Sequence, residues 1–135
     1  VILGLGNDLV DIRRIEASIA RFGERFLDRV FTPAEREFCE RHAMPAGRYA
    51  KRFAAKEACA KALGTGINQG VAWRDIGVVN QDSGMPELQL SGGALRRLRE
   101  LTPNRHIPVI KLTMTDEYPL AQAVVIVSAE PSPDR

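Results

Sequence analysis

The sequence predicts an α+β fold, a single domain in which an antiparallel sheet packs against helices. Apolar residues recur at helical spacing through most of the first half of the chain, whereas strand-length apolar runs fall mainly in the second half. Helices and strands segregated in this way argue for an antiparallel sheet, since regular β-α-β alternation would signal a parallel one. At 135 residues the chain has room for one core, because single domains typically occupy about 100–200 residues. The domain is expected over residues 1–129, with 130–135 as a frayed polar C-terminal tail.

Residues 2–7 form an apolar run closed by Gly4, Gly6 and Asn7, which predicts a buried strand ending in a tight turn, with Asp8 where strand gives way to helix. Asp11 is a natural N-cap for a helix over 12–22, on which Ile12, Ile15, Ile19 and Phe22 share a face and Gly23 is the stop. A short helical stretch over 24–30 follows. Thr32, Pro33 and Glu35 have the pattern of a capping box with proline in the first turn, predicting a helix to about Ala43. Residues 48–63, rich in Ala, Lys, Arg, Glu and Leu, are the strongest helical segment and stop at Gly64-Thr65-Gly66. Beyond it the period changes. Ile76 and Val78, then Leu88 and Leu90, read as strands around the loop Gln81 to Pro86. Ser91 caps a helix from Gly93 to Leu101, and strands over 107–115 and 120–127 are joined through Asp116 to Pro119.

Composition removes several function classes. With 44% hydrophobic residues and a formal charge of +2, the chain is neither disordered nor basic enough to suggest nucleic-acid binding. No apolar run approaches the ~18 residues of a membrane span, and the N-terminus lacks a basic leader, so a cytoplasmic protein is expected. Cys39 and Cys59 stand in no C-x-x-C pattern and are expected to be buried thiols. His42 and His106, the two histidines, leave no room for a multi-histidine metal site, and there is no G-x-S-x-G elbow or P-loop.

Three features remain that can carry chemistry. Asp8 is either a turn aspartate or a ligand. Glu57 and Lys61, four apart with Glu first, are either a solvated ion pair worth ~0.2–0.5 kcal/mol or part of a site. They share a helical stripe with Phe53 and Gly64, which places charge on a partly apolar face. Two carboxylates from separate elements suit Mg²⁺ bound with a phosphorylated substrate, and Lys51, Arg52, Lys56 and Lys61 supply positive charge nearby. Arg14, Arg21 and Arg25, spaced by seven and four with Arg29 close behind, form either a solvated basic surface or a docking face for an acidic partner if the helix continues past Gly23.

The blocks Gly4-Leu5-Gly6-Asn7-Asp8-Leu9-Val10-Asp11-Ile12, Arg52-Phe53-Ala54-Ala55-Lys56-Glu57-Ala58, Lys61-Ala62-Leu63-Gly64-Thr65-Gly66 and Gly84-Met85-Pro86 resemble the holo-acyl-carrier-protein synthases, the small 4'-phosphopantetheinyl transferases. The resemblance spans nearly the whole chain. It implies Mg²⁺-dependent transfer of 4'-phosphopantetheine from coenzyme A to a serine of apo acyl carrier protein, releasing adenosine 3',5'-bisphosphate and supporting fatty acid biosynthesis. By position it implies Asp8 and Glu57 as metal ligands and, with Lys61, as the catalytic set. Coenzyme A contacts are implied at Arg52, Lys56, Lys61, Gly64, Gly84, Met85 and Pro86, and carrier docking at Arg14, Arg21 and Arg25. The family's Ser or Thr and His in the penultimate strand are not matched, the histidine positions being Val109 and Met114, which passes any phosphate contact there to Lys111 or Thr113. The serine's proton could go to Glu57, to a metal-bound water or to an unprotonated Lys61. A homotrimer with sites between subunits is implied, and a non-catalytic coenzyme A or nucleotide-binding module of the same fold is the alternative.

Overall fold

Two glycines at the start of the chain decide how its two largest elements meet. Strand β1 (Ile2–Asp11) lies against helix α4 (Pro45–Ala62) so closely that a Cβ on Gly4 would stand 1.9 Å from the Ala62 carbonyl oxygen, and one on Gly6 1.7 Å from that of Ala58. Any side chain there would collide with backbone, so the G-x-G spacing is a packing requirement. The computed structural model describes residues 1–133.

Between these elements run α1 (Ile12–Phe22), α2 (Glu24–Val30) and α3 (Pro33–Glu40). Asp11 caps α1, accepting from the Arg13 amide at 2.9 Å, and the Arg13 guanidinium hydrogen-bonded to it holds its carboxyl at about 2. Gly23, at φ +56°, separates α1 from α2. The capping box forms as expected: Thr32 Oγ1 accepts from the Glu35 amide and Glu35 Oε1 from the Thr32 amide. After α4 a short 3₁₀ turn (Trp73–Asp75) leads to β2 (Ile76–Asn80), β3 (Pro86–Leu90), α5 (Gly92–Leu101), β4 (His106–Glu117) and β5 (Leu120–Pro131).

The strands make a three-stranded antiparallel sheet in the order β1-β5-β4 and a separate β2-β3 hairpin. Because β5 is central, the apolar run Ala123 to Val127 is explained within the chain. Its residues Ala121, Ala123, Val125 and Val127 turn toward α4 and are buried, each fully buried valine contributing about 1.5–3 kcal/mol. Cys39 and Cys59 are buried and unbonded to each other, as expected, and burial pushes their thiols up to about 11 and about 12.

Several boundaries differ from expectation. The first strand continues through Asn7 and Asp8 to Asp11, because pairing of Asp8 with Ala123 and Asp11 with Leu120 outweighs the turn propensity of Asn-Asp. Helix α3 stops at Glu40 rather than near Ala43, and α4 begins at Pro45, which takes the first helical turn where no N–H partner is needed. Ser91 is the N-cap of α5 but makes no side-chain capping bond. The last strand runs past Val127, with Glu130 paired to Ile107 and Pro131 to His106, so the expected frayed tail begins in paired backbone; residues 134–135 lie outside the described part. Among the described residues no helix is long and apolar enough to cross a membrane.

Candidate active site

Strand alternation turns Gly4, Gly6, Asp8 and Val10 toward α4, and the close approach at the glycines brings Asp8 beside that helix's last turns. Lys61, near the C-terminus of α4, reaches back to β1: its Nζ donates to Asp8 Oδ1 at 3.0 Å and to the Asn7 carbonyl at 3.0 Å. Glu57, one turn earlier, is half-buried in the same group. Burial, and then the negative charge of Asp8, push its carboxyl above the ordinary value, while the charges of Lys61 and Arg14 oppose that shift. Asp8, Glu57, Lys61 and Arg14 therefore form one electrostatic cluster, drawn from β1, α4 and α1. Phe53, on the same helical stripe, packs its ring 4.8 Å from that of Trp73.

Other expected contacts separate from this cluster. Lys56 is fully buried: its Nζ lies 2.6 Å from Glu35 Oε1 and donates to the carbonyls of Trp73 and Ile76. It has no free donor and no solvent path, which removes it from the coenzyme A contacts and makes it a structural cation. Glu35 carries no sequence signal as its partner, because the capping box already accounts for that residue; a carboxylate has further lone pairs, and Oε2 also accepts from the Val78 amide at 2.9 Å. Arg52 is 2% exposed and has no carboxylate partner among the described residues. Its Nη2 donates to Asn80 Oδ1 at 3.1 Å, at the edge of the loop that carries Gly84, Met85 and Pro86.

Gly64 ends α4 at φ +82°, where Arg97, a residue without a sequence signal, donates from Nε to the Leu63 carbonyl at 2.9 Å. Gly84 takes φ +89° in the β2-β3 turn, and Met85 is exposed. Lys111 and Thr113 pair with Ile126 and Val124, which places them on the sheet face away from Asp8; within one chain they do not join the cluster. Leu5, Leu9 and Ile126 are exposed on that same face.

The docking arginines do not share one helical face, because Gly23 breaks the helix that would align them. Arg14 lies near Glu57, Arg21 stacks 5.1 Å from the Phe22 ring, and Arg25 joins Arg29, Ser18, Phe22 and Phe26 around a groove between α1 and α2.

An α+β domain with two carboxylates and a lysine converging from strand and helix has the parts of a phosphoryl-type transferase. Residues 4–123 match the 4'-phosphopantetheinyl transferase superfamily. The chain is 64% identical over 130 residues to the holo-[acyl-carrier-protein] synthase of Azorhizobium caulinodans, covering 96% of each, and 61% identical to that of Rhodopseudomonas palustris, covering 97% of each. Among solved structures it resembles the Neisseria meningitidis holo-[acyl-carrier-protein] synthase (TM-score 0.82, 37% identity, covering 95% of this chain and 99% of that one). It also resembles the Helicobacter pylori enzyme solved with coenzyme A (TM-score 0.78, 31% identity, 92% and 99% covered). The chain belongs to the holo-[acyl-carrier-protein] synthase family of 4'-phosphopantetheinyl transferases.

Proposed function

We propose that this chain transfers the 4'-phosphopantetheine group of coenzyme A to a serine of apo acyl carrier protein, with adenosine 3',5'-bisphosphate leaving, and that Asp8, Glu57 and Lys61 carry the reaction. The observation that carries this assignment is the convergence of those side chains from β1 and α4 in a chain of this family. The transfer serves fatty acid biosynthesis. Buried, unbonded thiols suit a reducing compartment, the cytoplasm.

Asp8 and Glu57 would hold Mg²⁺. The fit rests on their chemistry: the half-buried Glu57 is pushed up by burial and by Asp8, a repulsion that a divalent cation removes. Among the described residues no third His, Cys, Asp or Glu joins them, and Mg²⁺ uses one or two protein carboxylates beside water and phosphate oxygens. When bound, the ion neutralises charge on the pyrophosphate and on the leaving bisphosphate. Lys61 fixes Asp8 through its hydrogen bond, and its exposed ammonium is placed to meet non-bridging phosphate oxygens. Glu57, grouped with Asp8 and Lys61 where the phosphate would sit, is the chain's own candidate to take the serine's proton.

Gly64 and the Gly84 to Pro86 turn are the remaining coenzyme A contacts, the latter at the adenine end. Arg14, beside the site, and Arg25, in the α1-α2 groove, would meet an acidic carrier, with Arg21 stacked on the Phe22 ring. The apolar patch of Leu5, Leu9 and Ile126 supports burial of that sheet face against further copies of the chain, as a homotrimer, which would put Lys111 and Thr113 at a subunit border.

The test is to incubate the protein with apo carrier, coenzyme A and Mg²⁺ and weigh the carrier intact. A gain of one phosphopantetheine unit is expected, lost in Asp8→Asn and Glu57→Gln. No gain, with a known transferase active alongside, refutes the assignment.

A further inference from the structure

We infer that Asn80 is a positioning residue for coenzyme A, tying the buried guanidinium of Arg52 to Gly84 and so shaping the Gly84 to Pro86 turn before the ligand arrives; this rests on the coenzyme A site proposed above. Asn80 is the last residue of β2 and pairs with Pro86 across the turn. Its Oδ1 accepts from Arg52 Nη2 at 3.1 Å, and its Nδ2 donates to the Gly84 carbonyl at 3.0 Å. The turn is otherwise closed by backbone bonds from Gly84 N to the Gln81 carbonyl and from Gln81 N to the Met85 carbonyl, both 2.8 Å.

Arg52 is an anchored end for such a tie. Its guanidinium lies 4.3 Å from the Phe38 ring, donates from Nη1 to the Arg48 carbonyl at 3.2 Å, and leaves Nε buried without a partner. A buried guanidinium with so few acceptors holds tightly to those it has. Gly84, at φ +89°, is free to adopt other backbone conformations, so the turn depends on outside contacts to keep one shape. The amide is the group that fits both ends. It accepts from a cation on one side and donates to a carbonyl on the other, whereas a carboxylate of the same size can only accept.

This difference supplies the experiment. Asn80→Asp keeps the acceptor for Arg52 and loses the donor to Gly84; Asn80→Ala loses both without adding charge. Loss of the bond to Gly84, which the two variants share, is expected to raise the KM for coenzyme A about threefold to tenfold in each. The KM for the carrier and the saturated kcat should stay unchanged in both variants, and Asn80→Asp, which keeps the acceptor for Arg52, should melt with the wild type, so that its raised KM does not report a general loss of stability. Hydrogen exchange at the Gln81 and Gly84 amides of the ligand-free protein should quicken in both variants. Unchanged KM and exchange in both overturn the inference. So does an effect confined to Asn80→Asp, which would report charge repulsion, and so does faster exchange with unchanged KM. Absence of transfer by the wild type would instead refute the proposed function, while the exchange measurement would still report whether Asn80 holds the turn.

Discussion

Lys56 Nζ stands 2.6 Å from Glu35 Oε1, with both side chains closed off from solvent, while Glu57, the next residue on the helix, is half-buried and lies within the field of Asp8. A step of about 100° round α4 separates a cation that joins α3 to β2 from a carboxylate of the proposed site. Removing one partner of a buried pair leaves the other charge uncompensated. Lys56→Met is therefore expected to cost about 3–5 kcal/mol in urea unfolding while the folded fraction keeps its KM for coenzyme A. A stable variant with a raised KM would return Lys56 to the ligand contacts.

Glu57 carries the opposite signature, a site residue that works against the fold. Its folded pKa lies above the ordinary 4.5, so the protonated form favours folding and that contribution is lost as pH rises through the raised value. Without divalent metal, Glu57→Gln should melt above the wild type at about pH 7, with the gap closing well below pH 4.5. Mg²⁺ should raise the melting temperature of the wild type and leave that of the variant unmoved. A wild type that melts above the variant in metal-free neutral buffer would contradict burial and Asp8 as the causes of the shift.

Gly6→Ala tests the contact that sets the distance from Asp8 to α4. The new Cβ would meet the Ala58 carbonyl oxygen at 1.7 Å, where neither backbone can yield cheaply. The expected loss exceeds about 4 kcal/mol, seen as insoluble or partly unfolded protein by circular dichroism. A fully folded Gly6→Ala variant with normal melting would show that the two elements can part without cost.

Arg25 lies in the groove with Phe22 and Phe26, away from the carboxylates, whereas Arg14 acts on Glu57. Arg25→Glu should raise the KM for the carrier and slow association at low salt, leaving the KM for coenzyme A alone. Arg14→Glu should also weaken the carrier and, by adding a negative charge beside Glu57, shift the acid limb of the pH profile upward. Equal effects of Arg25→Glu on both substrates would argue against a separate docking face.

Much of the site was legible because it is written in local patterns. The i,i+4 placement of Glu57 and Lys61 and the G-x-G before Asp8 are properties of one helix and one strand, and the capping box of Thr32 and Glu35 is complete within four residues. The burial of Lys56 is not legible in the sequence, because it is decided by Glu35 and by the carbonyls of Trp73 and Ile76, which only tertiary packing brings together. Asn7-Asp8 looked like a turn until pairing with β5 kept it extended. For Lys111 and Thr113 the alternation with Ile110, Leu112 and Met114 turns them from the packed face, but that Asp8 lies on that packed face is decided only by the pairing of β1 and β4 with β5, where Asp8 and Met114 both meet Ala123.

The alternation of β1 divides the work of one strand between its two faces. Gly4, Gly6 and Asp8 face the helix and the chemistry; Leu5 and Leu9 point outward from the sheet. Tolerance to substitution along residues 4–9 should therefore oscillate with a period of two. Catalytic or folding failures would fall at the even positions, and the odd positions Leu5 and Leu9 would accept other apolar residues. The strand thus meets two separate structural demands in interleaved registers, and insertion of one residue would exchange them.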